Sequence, residues 1–200
     1  MNEAMAAFGA TGTLGPLRCC AALSDIAAVL GPPMDGGRVS KRHRWPHWFL
    51  YESVELVVCR CRLVERIGVP TWHNDCRIPG PQPGAWLSEL RGMTYQRLTT
   101  ALDATDCPWQ LTYQTDDQIT VSTDPGDAMV AFTFITRETY DGPELPEPVL
   151  YKAHAWRRDH MCPPIPPNQP DDGIGLQPRY TTTSLVRGPG PRTTSGLAGP

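Results

Sequence analysis

Six side chains in the middle of the chain offer nitrogen or sulfur to a metal: His43, His47, Cys59, Cys61, His73 and Cys76. Imidazole and thiolate are the donors that zinc takes. In an extended strand Cys59 and Cys61 share a face, because successive side chains alternate. His73-Asn74-Asp75-Cys76 supplies a second pair. The gaps match no familiar zinc-module spacing, and Arg60 and Arg62 set cations beside the strand pair, so metal binding is the alternative reading rather than the first.

Other chemistries have weaker residue sets. Nucleophilic catalysis needs a Cys or Ser beside a base, with a third group orienting that base. Cys76, His73 and Asp75 have suitable types, but close neighbours on one loop do not converge as a triad. There is no Gly-x-Ser-x-Gly elbow and no phosphate-cradling glycine loop. The carboxylate pairs Asp116-Asp117 and Asp171-Asp172 fall in turn and tail contexts, where solvated charge is the default. The chain therefore reads as a non-enzyme that needs no cofactor.

Lys41-Arg42-His43-Arg44-Trp45-Pro46-His47-Trp48 interleaves cations with aromatics, a combination that grips single-stranded nucleic acid. A net charge of -3 argues against phosphate as the main partner. The segment is better read as a cationic loop entering a strand, equally suited to an acidic protein. Pro163-Pro164-Ile165-Pro166-Pro167 favours a polyproline helix, most simply as a spacer.

The elements that must position these groups follow from composition and periodicity. Glycine (18) and proline (22) make up a fifth of the 200 residues, concentrated after Pro143 and after Cys162. No apolar run approaches the roughly 20 residues of a membrane span. The first 15 residues lack an export signal, so the expected location is the cytoplasm, with the seven cysteines as free thiols.

Residues 1–17 read as a flexible N-terminus, 18–156 as an α+β domain and 157–200 as a disordered Pro/Gly-rich tail. Within the domain, 18–72 and 93–135 look like repeated halves, and 136–156 is an extended segment. Each half is a short amphipathic helix followed by an antiparallel hairpin, giving a helix-covered sheet. Leu23, Ile26, Ala27 and Leu30 form one helical stripe, stopped by Gly31-Pro32-Pro33. Tyr95, Leu98 and Leu102 form the other, capped by Thr94. Met34 to Lys41 reads as a loop. Expected strands are Trp48 to Cys61 and Leu63 to Val69 in the first half. In the second they are Trp109 to Gln114, Ile119 to Thr123 and Met129 to Phe134. Pro143, Pro146 and Pro148 suggest a surface ribbon, and Val149 to Trp156 a short helix.

Ile26-Ala27-Ala28-Val29-Leu30-Gly31-Pro32-Pro33, followed by Trp48 to Val57, resembles a group of small bacterial proteins. In that group a helix ends in Leu-Gly-Pro-Pro and leads into a strand of the form Tyr-Gly-x-Leu-Glu-Leu. Most are uncharacterised, and several resemble immunity proteins of polymorphic-toxin systems. Ser53 stands where the group often carries Gly. The doubled unit is also similar to tandem-repeat β-lactamase inhibitor proteins, a likeness of fold alone. The resemblance implies a protein-binding module that neutralises a cognate toxin by occlusion; the net charge and the lack of a long apolar run are what argue against a nucleic-acid or membrane partner. The module's anchors would be aromatic and arginine side chains: Trp45, Trp48, Tyr51, Arg60, Arg62, Trp109 and Tyr113.

Overall fold

The computed structural model describes residues 2–72, 76–82, 84–88, 92–137, 144–158 and 160–163. His73 and Asp75 lie outside these residues, as does the expected tail from Pro164 onward. Among the described residues there are three helices and a large antiparallel sheet, an α+β chain. No helix is long and apolar enough to cross a membrane.

The N-terminal segment corrects the expectation of a flexible lead. It forms α1 (Asn2–Thr11) and the short pair β1 (Thr13–Leu14) and β2 (Leu17–Arg18). Met5 and Phe8 are fully buried, and the Phe8 ring meets Phe132 edge-on at 6.2 Å. Gly9 makes this close approach possible, since a Cβ there would sit 2.8 Å from Leu102. A stripe of two large residues among small ones is too thin to read as amphipathic, so the helix is settled by what buries it.

The next helix, α2 (Leu23–Leu30), buries Leu23, Ile26 and Leu30. Gly31 takes φ 79° and returns its N–H to the Ala27 carbonyl, ending the helix where the sequence places the stop. Four strands follow: β3 (Asp35–Arg38), β4 (His47–Tyr51), β5 (Val54–Val58) and β6 (Val64–Pro70). The single strand expected over Trp48 to Cys61 is thus two, broken at Glu52, which adopts φ 51°. The expected loop Met34 to Lys41 contains the edge strand β3.

The Pro/Gly seam carries a small hairpin, β7 (Arg77–Pro79) and β8 (Trp86–Ser88). Helix α3 (Tyr95–Asp103) is capped by Thr94, whose hydroxyl accepts from the Arg97 N–H, and buries Leu98 and Leu102. Four more strands follow: β9 (Trp109–Gln114), β10 (Gln118–Thr123), β11 (Ala128–Arg137) and β12 (Glu144–Arg157). The ribbon and short helix expected before Trp156 are therefore one long strand. It pairs with β11 from Glu144 to Arg157 and with β6 over Lys152 to Trp156, while Leu150 N–H reaches the Met93 carbonyl, and these bonds override local preference.

The main sheet runs β3-β4-β5-β6-β12-β11-β10-β9, so two four-strand meanders meet at the β6–β12 pair. On the face toward the helices lie Leu56, Ile67, Ala155 and Val130, all buried at adjacent registers. The opposite face carries Glu55, Gly68 and His154 in one row and Val57, Arg66 and Trp156 in the next.

That pairing decides where the functional groups meet. With Trp156 opposite Arg66, the chain after β12 leaves the sheet beside the β5–β6 turn, residues 59–63. The turn is fixed by Cys59 N–H to the Leu63 carbonyl at 3.0 Å and Arg62 N–H to the Cys59 carbonyl at 2.8 Å. The segment ahead of α2 joins it, with Cys20 N–H on the Val64 carbonyl and Leu23 N–H on the Arg62 carbonyl.

Candidate metal centre

Cys59, Cys61, His160 and Cys162 converge where the β5–β6 turn and the chain after β12 run side by side. One donor atom from each lies within 4.8 Å of every other. His160 Nε2 is 3.6 Å from Cys59 Sγ and 3.2 Å from Cys162 Sγ. A tetrahedral zinc with ordinary Zn–S and Zn–N bonds sets its ligand atoms about 3.6–3.8 Å apart. The observed spread brackets that figure, so closing on an ion takes side-chain adjustment and no change of backbone course. The donors come as two pairs, Cys59-Arg60-Cys61 and His160-Met161-Cys162, each separated by one residue.

The surroundings treat the three thiols differently. Burial pushes Cys59 up, and it pushes Cys61 up to about 11, helped there by hydrogen bonding with Cys162. At Cys162 burial also opposes the thiolate. Hydrogen bonds from Cys61, Cys59, the Cys61 backbone and Arg60 outweigh it, so this thiol lies below its ordinary value. A divalent cation removes that opposition for the whole set, since metal binding displaces protons from the thiols it takes.

Two arginines frame the cluster. Arg60 donates to the Cys162 carbonyl at 2.6 Å and to the Pro163 carbonyl, clamping the second ligand segment against the first. Beneath them, Arg157 is buried at 8% exposure and forks between two sulfurs, Cys20 Sγ at 3.2 Å and Cys59 Sγ at 3.7 Å. The remaining thiols have other surroundings. Cys19 is pushed up to about 12 by burial, and Cys76 and Cys107 are raised by the same cause, as befits compact apolar side chains.

Of the six donors singled out in the sequence, His73 lies outside the described residues, and two of the other five, Cys59 and Cys61, enter the cluster. His43 is exposed in the β3–β4 loop. His47 lies on β4 with its ring 4.5 Å from Trp45 and stacked toward Phe49. Cys76 is buried in the core. His160 and Cys162 were missed because they stand about a hundred residues from their partners. The signal available was the matching one-residue gap in the two pairs.

The seven proposed anchors do not assemble into one surface. Tyr51 is buried, and Trp109 packs on Tyr95 while its Nε1 donates to Asp103. Trp45 lies against the core, Arg60 serves the cluster, and Arg62 sits in the β5–β6 turn. Trp48 is half-buried on the face away from the helices, and Tyr113 is exposed on the distant edge strand β9. Among the described residues, no carboxylate hydrogen-bonds the His160 ring, so the Cys162–His160 contact lacks a triad's third member.

No protein-family model matches the chain, and no curated protein or solved structure matches it either.

Proposed function

We propose that this chain is a non-enzymatic binding scaffold stapled by a resident zinc ion at Cys59, Cys61, His160 and Cys162. The carrying observation is the convergence of three thiols and one imidazole from segments about a hundred residues apart. Four protein donors complete a tetrahedral shell and leave no position for water or substrate, which is the pattern of a structural site rather than a catalytic one. The ion joins the meander β3–β6 to the segment that leaves β12. In this reading those meanders, each led by a helix, are the two halves of a tandem unit. The mirrored strand order supports that, with four strands per half rather than a hairpin. Zinc analysis of protein purified without added metal tests the reading. One ion per chain, lost in Cys162→Ser, supports it; a metal-free protein of unchanged stability refutes it.

A second reading concerns what the scaffold binds. The sheet face opposite the helices exposes Glu55, Arg66 and Lys152 beside half-buried Trp48 and Trp156, a mixture of cations and aromatics suited to a protein partner. An immunity-type role, occluding a toxin, is consistent with such a face. Charge reversal at Arg66 and Lys152 should abolish capture of the protein encoded beside it. Capture that survives the reversal would place the contact elsewhere.

A further inference from the structure

The Arg157 guanidinium is permanently charged and almost wholly buried, yet among the described residues it has no carboxylate partner. Among those residues its hydrogen-bond partners are two sulfur atoms, and its Nε has none. A neutral thiol is a weak acceptor. Burying a cation against neutral sulfur alone leaves its desolvation cost uncompensated. Ligation changes the account. Zinc with three thiolates and one neutral imidazole carries one net negative charge, spread over the sulfurs.

From this we propose that Arg157 is the outer cation of the metal centre, donating to the metal-bound sulfur of Cys59 and cancelling the charge of a tris-thiolate, mono-histidine zinc site. The proposal rests on the metal reading above and goes further, since it assigns a positioning residue and a charge state. With a thiophilic divalent cation the set carries one negative charge, which Arg157 answers at the Cys59 sulfur while Arg60 lies on the Cys162 side. Hydrogen bonding to a thiolate draws density from sulfur and lowers its reactivity, so Arg157 marks Cys59 as a holding ligand. Cys20, the other arm of the fork, is exposed and lies outside the donor set.

The test uses the full chain, with zinc affinity read by chelator competition and the thiolate-to-metal charge-transfer band read in the cobalt(II)-substituted protein. Arg157→Gln should weaken zinc binding by about 10–100-fold, the range for lost outer-shell partners. It should also move the cobalt band to longer wavelength, a shift that a purely architectural role does not produce. Arg157→Lys keeps the charge without the fork and should shift the band part of the way. Cys20→Ser should stay within about threefold of wild type. If Arg157→Gln fails to fold, the Arg157→Lys band decides. Variants matching wild type in both affinity and band overturn the role of Arg157, as does a Cys20→Ser loss as large as that of Arg157→Gln. Absence of zinc from the wild type instead overturns the metal reading itself.

Discussion

Two regions flank the same pair of strands, β6 and β12, and answer their polar groups in opposite ways. At the end of the pair, the donors of Cys59, Cys61, His160 and Cys162 face one another, with Arg60 and Arg157 closing round them. Midway along the pair, on the face away from the helices, Gly68 contributes no side chain between Glu55 and His154. The result is a recess of about 220 Å³, its rim formed by Glu55, Arg66, Trp72, Lys152 and His154. Arg66 and Lys152 form no ion pair among the described residues. The difference teaches that one strand pair can both hold and receive. Where donors are saturated by one another the chain is fixed, and where charges stay unmatched the surface is free to meet something else.

The largest effect is expected where the groups are saturated. Cys162→Ser should abolish stoichiometric zinc and lower the melting temperature by about 10 °C, because a structural ion's binding energy is folding energy. Calorimetry with parallel metal analysis reads both. A variant that loses zinc but melts unchanged would show that the centre staples nothing, and the contrast between the two regions would collapse.

The recess should respond to acid instead. Burial, then the charges of Lys152 and Arg66, lower His154 from its ordinary 6.5 to about 4. As pH falls, the unfolded chain takes up this proton before the folded one. The stability carried by neutral His154 is therefore present at pH 7 and lost between about pH 6.5 and 4, with no further loss below. Allowing for partial exposure, the difference between wild type and His154→Gln over that window should be about 1–2 kcal/mol. Urea unfolding across the window measures it, and parallel slopes for the two proteins would contradict the placement of His154.

The smallest expected effect lies at the recess floor. A Cβ on Gly68 would meet Glu55 at 3.7 Å, an ordinary contact. Gly68→Ala should therefore cost no stability and leave zinc content unchanged, while narrowing the recess. Loss of zinc in this variant would mean that the two regions are coupled rather than separate.

The sequence made much of this legible, and the failures have physical causes. The helices α2 and α3 were visible because their stripes, Leu23-Ile26-Leu30 and Tyr95-Leu98-Leu102, are local and their ends are marked by Gly31 and Thr94. Strand β3 was hidden because Gly36 and Gly37 carry no strand preference, and the edge is made by pairing with Trp48 and Phe49. Val149 to Trp156 mixes alternation with helix-tolerant Lys and Ala, and only its two neighbouring strands decide between the alternatives. At the centre, Cys59 and Cys61 were identifiable as a same-strand pair. Their partners were not, because the meeting depends on the register of β12 against β6, a long-range fact that no local spacing encodes.

X-ray absorption at the zinc edge of the full-length protein tests the central claim most directly. The account predicts three sulfur neighbours at about 2.3 Å and one nitrogen at about 2.0 Å, with no oxygen in the shell. A shell containing water, fewer than three sulfurs, or no bound zinc in protein prepared under reducing conditions would contradict it.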